Sequence, residues 1–252
     1  GSRALANADY VTIELKHIYR QTDQAFIRLL NKVRDNYVDT EVLDELNKRH
    51  VPDFDPDTGG GYITLTTHNS QARAINDSKL DKLSGVPRSF RAVIRDEFPE
   101  LSYPADAELI LKTGAQVMFV KNDLSPEKLF FNGKIGKVEA FEEDCIVVKC
   151  PDDELPIYVE KAEWQNMRYT LDEDTKELDE TVIGTFTQYP LRLAWAITIH
   201  KSQGLTFDRA VIDAKAAFAH GQVYVALSRC RTLPRGAQTR TAPHRRGPCR
   251  SA

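Results

Sequence analysis

Two neighbouring stretches decide the reading of this chain: Thr198-Ile199-His200-Lys201-Ser202-Gln203-Gly204-Leu205-Thr206-Phe207-Asp208 and Gly221-Gln222-Val223-Tyr224-Val225-Ala226-Leu227-Ser228-Arg229-Cys230-Arg231. The first leaves the apolar pair Ala196-Ile197 and at once presents Thr, His, Lys, Ser and Gln around a glycine. A core element that ends in such a cluster is suited to contact with a polar ligand. Periodicity leaves residues 191–199 open between helix and strand. The second stretch reads as a helix over 221–231, with Val223, Ala226, Leu227 and Cys230 at core spacing. On a helix Gln222 and Arg229, seven apart, fall within about 20° of one face. A guanidinium offers a fork of donors matched to phosphate oxygens, so that face suits phosphate capture. Taken singly, a polar loop and a surface arginine with an ion-pair partner explain the two stretches as well. Their succession in one chain gives them weight.

Upstream, residues 10–50 read as a short strand (Val11, Ile13, Leu15) followed by helices. Thr22 is placed to cap a helix carrying Phe26, Leu29, Leu30 and Val33, and Thr40 one carrying Val42, Leu43 and Leu46. The stretch from Pro52 to Gly61 is loop by composition. Tyr62–Thr66 alternates as a strand does, and residues 70–83 look helical. Between them, Thr67, His68 and Asn69 form a polar turn whose helix-start N–H groups suit a phosphate, or equally an ordinary cap. After Pro104 the texture changes to short β-like runs (Leu109–Leu111, Ala115–Val120, Ile146–Lys149, Ile157–Val159) broken by Gly, Pro and Asn-Gly turns. That pattern predicts a small barrel set into an α/β framework. The framework returns near Pro190, and Arg209–Asp213 reads as a further strand.

Two features are decoys. Asn132-Gly133-Lys134-Ile135-Gly136 holds a Gly-Lys pair, but a phosphate-cradling loop needs GxxxxGK then Ser or Thr leading into a helix. A β-turn fits it better. Ile146-Val147-Val148 followed by Asp152-Asp153-Glu154 faintly resembles a magnesium-site strand, but Pro151 and the β texture favour a solvated turn. No P-loop occurs in the sequence.

Composition narrows the class. The 252 residues include 41% hydrophobic and 28% charged residues, ordinary for a globular chain. No run approaches the roughly 18 apolar residues of a membrane span, and no leader-like N-terminal segment is seen. Gly1-Ser2 has the form left by a cleaved tag. Four cysteines without CxxC pairing or companion histidines predict reduced thiols and no metal site. The stretch from Arg235 onward holds five arginines and no acid. Of the 34 basic residues this leaves 29 against 37 acids in the body, a net charge of −8. An acidic body argues for a local DNA track and against a coating field.

The pair of stretches resembles the fifth and sixth motifs of superfamily one helicases of the Pif/RecD type, in order and spacing. His17-Ile18-Tyr19-Arg20-Gln21 is similar to their fourth motif, and Thr67–Asn69 with Asn76 to a DNA-contacting motif. Leu111–Met118 with Asn132-Gly133 is similar to the start of an inserted Src-homology-type barrel. The resemblance covers residues 10 to 233.

This resemblance implies an α/β fold: a RecA-like (P-loop NTPase-type) parallel sheet with helices, and an inserted small antiparallel β-barrel. The expected divisions are 3–103 and 186–234 for the second RecA-like domain, 104–185 for the barrel, and 235–252 for a disordered or non-native tail. It implies Arg229 as arginine finger and Arg20 as a second γ-phosphate contact. Gln21, Gly204 and Gln222 are implied at the ATP cleft, and Thr67, Asn69, Thr198, His200 and Lys201 on single-stranded DNA. ATP and Mg²⁺ are expected in the full motor and neither in this chain alone, because the phosphate-binding N-terminal RecA-like domain is absent from it. The expected partners are that domain, single-stranded DNA and duplex junctions, with no membrane. The expected place is the cytoplasm, near the nucleoid in a bacterium. The resulting expectation is a half-motor of a 5′-to-3′ DNA helicase, inactive alone. The rival is a non-catalytic nucleic-acid-binding or adaptor module descended from one.

Overall fold

The computed structural model describes residues 8, 11–13, 20–51, 54, 56, 61–151, 153–171, 178–212 and 221–231, and the backbone of 237–239. Val11 and Ile13 stand exposed and outside any strand, and Leu15 lies outside the described residues. Helix α1 (Gln24–Arg34) buries Phe26, Leu29 and Leu30, and α2 (Thr40–Asn47) buries Val42. Their caps are Asp23 and Asp39, each one residue from the threonine expected. The Asp23 carboxylate accepts from the backbone N–H of Ala25 and Phe26, and that of Asp39 from Val42. In Thr-Asp and Asp-Thr pairs either side chain can cap, and here the carboxylate meets the positive end of the helix.

Strand β1 (Ile63–Thr66) leads into α3 (Asn69–Lys82). Strands β2 (Arg88–Arg91), β3 (Val93–Asp96) and β4 (Glu108–Leu111) follow, then β5 (Gln116–Phe119), β6 (Ile135–Phe141), β7 (Ile146–Lys149) and β8 (Ile157–Val159). A long pair, β9 (Ala162–Leu171) and β10 (Leu178–Gln188), precedes β11 (Leu191–Leu193), β12 (Ala196–Thr198) and β13 (Ala210–Ile212). Residues 191–199, open between helix and strand in the sequence, therefore hold two short strands and no helix. Helix α4 (Gln222–Leu227) and strand β14 (Ala237–Thr239) complete the order. Strand β14 lies inside the arginine-rich stretch expected to carry no structure.

The sheets separate into a parallel and an antiparallel part. The parallel sheet runs β12-β1-β13-β14, with Thr66 opposite Thr198 and Ile63 opposite Ala210. The antiparallel part comprises a five-stranded sheet β11-β5-β6-β7-β8, a three-stranded sheet β3-β10-β9 and the pair β2-β4. Strand pairing in it reaches from Arg88 to Leu193.

The barrel expected over 104–185 is corrected: among the described residues the five-stranded sheet is open, with β11 and β8 as its two edges and no pairing between them. The long strands that could have closed it, β9 and β10, pair along ten positions with each other and with β3 instead. Closure depends on register and shear, which turn-rich β texture does not encode.

Two hydrophobic clusters correspond to these parts. One joins α1 and α2 to β1, β12, β13 and α4 through Phe26, Leu65, Ile197, Phe207, Ile212 and Leu227. The other fills the antiparallel sheet around Leu111, Phe119, Ile146 and Leu191. All four residues of β5 are buried, because Met118 faces the first cluster while Val117 and Phe119 face the second. Gln116 reinforces this seam, its amide donating to the carbonyls of Tyr62 and Ala194 at 2.7 and 2.8 Å.

Candidate phosphate and nucleic-acid interface

The first arginine enters through the residues just before α1. Arg20 Nε donates to Thr206 Oγ1 and its Nη1 to the Ser228 carbonyl, both at 3.0 Å. Gln21 is buried, and its Nε2 donates to the carbonyls of Ser228 and Cys230 at 3.0 Å each. The residues ahead of α1 are thereby tied to the chain just past α4, more than 200 positions away.

Arg229 arrives from the other side. Its Nε donates to the Val225 carbonyl at 3.1 Å and its Nη2 to Ser228 Oγ at 2.9 Å. Both guanidinium groups thus anchor on Ser228, one through its carbonyl and one through its hydroxyl. Burial holds the Arg229 pKa below its ordinary value, and the neighbouring positive charge of Arg20 lowers it further. Among the described residues neither arginine has a carboxylate within 4.0 Å. Two like charges brought together without a counter-ion make a receptor for an anion. Beside them burial pushes the Cys230 thiol up to about 12, so it stays protonated and unreactive.

The common helical face expected for Gln222 and Arg229 is not formed. Helix α4 ends at Leu227, with Ser228 as its cap, and Arg229 lies beyond it. The chain there leaves the helix to run beside Phe207: the Phe207 N–H donates to the Arg229 carbonyl, and Phe207 and Cys230 form a parallel bridge. Gln222 opens α4, and its Oε1 is buried with no hydrogen-bond partner among the described residues. Gly204 is exposed at φ +85°, a left-handed turn that favours glycine, and open space surrounds its missing side chain.

The residues expected on DNA gather at the carboxyl ends of β1 and β12, where open α/β sheets place ligands. The Ile199 N–H donates to the Thr66 carbonyl, so the turns leaving these adjacent strands sit side by side. Thr67 and its neighbour His68 share a hydrogen bond at 2.8 Å, and Asn69 is exposed at the start of α3. No side chain caps that helix start. His200 and Lys201 are exposed, whereas Thr198 is buried and accepts from the Lys201 N–H. Asn76 has a different task. Its amide bonds the Ala196 carbonyl and N–H, both at 2.9 Å, closing the outer edge of β12.

One braced turn connects the two sites. Ser202 is fully buried, its hydroxyl donating to the Ile199 carbonyl at 2.6 Å, and Leu205 N–H bonds the Ser202 carbonyl. The turn starts at Thr198, beside the exposed His200 and Lys201, and ends at Thr206, the acceptor for Arg20. Thr206 and Ser228 are not singled out by the sequence reading; Ser228 shares a stretch with its partner Arg229, whereas Thr206 and its partner Arg20 lie in different ones. Among the described residues no three His, Cys, Asp or Glu side chains cluster as a metal site, and no helix is long and apolar enough to cross a membrane.

The α/β core thus offers paired arginines at one end of a braced turn and a polar strand-end cluster at the other. The family described as UvrD-like helicase C-terminal domain matches residues 193–233. The human ATP-dependent DNA helicase PIF1 is 37% identical over 234 residues, covering 88% of this chain and 34% of that protein. Unliganded Pif1 from Bacteroides sp. superposes with a TM-score of 0.81 at 41% identity, covering 91% of this chain and 52% of that one. Bacteroides Pif1 bound to ssDNA superposes with a TM-score of 0.62 at 42% identity, covering 91% and 51%. In sequence and in fold the chain is similar to the C-terminal part of Pif1 helicases. It spans about a third of the human relative and about half of the Bacteroides chains.

Proposed function

We propose that the chain is the second RecA-like half of an ATP-dependent DNA helicase, with Arg229 and Arg20 received by the terminal phosphate of ATP. The observation that carries this reading is the pair of guanidinium groups anchored on Ser228 with no carboxylate beside either among the described residues. A guanidinium carries five N–H donors. Two of Arg229's and two of Arg20's are engaged within the chain, which orients each side chain and leaves donors for phosphate oxygens. ATP bound there supplies the transferable phosphoryl group, and charge developing on it is stabilised by such arginines. Magnesium is assigned to the partner half, since the described residues cluster no carboxylates for it.

Thr67, Asn69, His200 and Lys201 are the proposed contacts to single-stranded DNA, with Thr198 acting from behind them by holding the Lys201 backbone. Support comes from their placement at adjacent strand ends and from the likeness to Pif1 solved with ssDNA. Translocation from 5′ to 3′, action at duplex junctions and an intracellular place belong to the same reading. The N-terminal RecA-like domain is the partner that completes the cleft, so this chain alone is expected neither to hydrolyse ATP nor to unwind DNA. DNA-stimulated ATP turnover, measured on the pure chain and on a protein that joins it to a P-loop half, tests this. Turnover is expected only in the second, and robust turnover by the chain alone would refute the division of labour.

A further inference from the structure

We infer that Gln21 is a positioning residue for Arg229, acting through the backbone on both sides of it and not through contact with the nucleotide. The inference rests on the reading of Arg229 as a phosphate-receiving arginine. Gln21 is buried, and both hydrogens of its amide nitrogen are accounted for by the Ser228 and Cys230 carbonyls. Those two carbonyls belong to the residues immediately before and after Arg229. The Arg229 backbone is fixed as well, its N–H on the Ala226 carbonyl at 3.1 Å and its own carbonyl on Phe207 N–H at 2.8 Å. Four hydrogen bonds thus pin three consecutive residues at a place where the helix has ended and its last carbonyls need donors from elsewhere.

A single side chain, that of Gln21, thus bonds both flanks of Arg229. The side-chain bonds of Arg229 itself, to Val225 and Ser228, lie only on the helix side. Gln21 adds a side-chain donor to a Cys230 backbone that is otherwise held by its N–H on the Leu227 carbonyl and by the bridge to Phe207. A nitrogen with no free donor has nothing to offer a phosphate, and the amide oxygen would repel one. The chemistry therefore favours scaffold over ligand contact. Since Arg20 is the adjacent residue and also bonds the Ser228 carbonyl, one dipeptide supplies a phosphate-facing charge and the brace for its partner.

The test is a double-mutant cycle in the motor with its P-loop half, reading kcat and KM for ATP at saturating single-stranded DNA. Gln21→Met keeps the volume and removes both donors, and Gln21→Asn keeps the donors but withdraws them by a methylene. Displacing a catalytic group by an ångström costs on the order of a hundredfold, so kcat of Gln21→Met is expected to fall between about tenfold and a hundredfold. KM for ATP should change little, and Gln21→Asn should lose less. In an Arg229→Ala background, Gln21→Met should lower kcat no further, because the group it positions is gone. Losses that multiply in the double variant, or a raised KM with kcat retained, would overturn the inference while leaving Arg229's role intact. An unchanged kcat in Arg229→Ala would overturn the phosphate reading and this inference with it.

Discussion

Replacing Asn76 by alanine should destabilise the fold rather than strip a DNA contact. Strand β12 is the outer strand of the parallel sheet, and Asn76 serves in place of a further strand by bonding both the N–H and the carbonyl of Ala196. Ala196 is 3% exposed, so water cannot freely replace the lost partners. A net hydrogen bond contributes about 1 kcal/mol, and an unsatisfied buried group costs about 1–3 kcal/mol. Removing two bonds therefore predicts a loss of about 2–3 kcal/mol, or roughly 4–12 °C in Tm for a chain of this size. Asn76→Asp should cost at least as much, because a carboxylate can accept from the Ala196 N–H but faces its carbonyl with like polarity. The assay is urea unfolding of the chain, with single-stranded DNA affinity measured on the folded variant. The reasoning is refuted if stability stays within about 0.5 kcal/mol, the usual range of a surface change, while DNA affinity drops.

Other consequences are equally direct. Gly136→Ala would set a Cβ 2.5 Å from Val148 Cγ1 and 3.0 Å from the Lys149 carbonyl, inside the antiparallel core. Overpacking of this kind predicts a loss of about 1–3 kcal/mol by chemical denaturation. Asp123 accepts from the Ser125 N–H, its hydroxyl and the Leu129 N–H, and chiefly the Ser125 N–H holds its carboxyl below the ordinary carboxylate value. A depressed folded-state pKa gives stability that is present above the unfolded value and lost as pH falls through the folded one. Amide exchange at Ser125 and Leu129, corrected for intrinsic rate, should therefore accelerate only below about pH 4. Thr206→Val removes the acceptor that orients Arg20 Nε, and should lower ATP turnover in the complete motor while Thr206→Ser restores it.

How much of this was written in the sequence varies from element to element. Strand β1, helix α3 and strand β13 were legible because alternation and helical spacing are local signals, and each buried position serves one face. Helix α4 was legible in place but not in extent. Its Gln222–Leu227 core spacing continues on paper to Cys230, whereas the pairing of Phe207 with Arg229 and Cys230 draws the chain out of the helix. The open antiparallel sheet read as a barrel because β5 to β8 show the same short runs either way, and the destination of β9 and β10 is a matter of long-range register.

The site divides in the same manner. Arg229, Gly204, His200 and Lys201 are candidates through motif resemblance alone. Gln21 and Asn76 did not reveal their tasks, since their acceptors lie 207 to 209 and 120 positions away. A polar residue near a helix looks the same in sequence whether it meets solvent, a ligand or a distant backbone. Thr206 and Ser228 had a local clue, adjacency to the motif glycine and to the motif arginine, but nothing local tells which side chain will anchor there.

In the proposed function Arg229 stabilises the phosphate of a nucleotide held between this chain and a P-loop half. The most direct test is DNA-stimulated ATP turnover of the complete motor carrying Arg229→Ala, with nucleotide binding measured alongside. The account predicts a fall in kcat on the order of 10³-fold with ADP affinity largely kept. Turnover equal to that of the unmodified motor would contradict it.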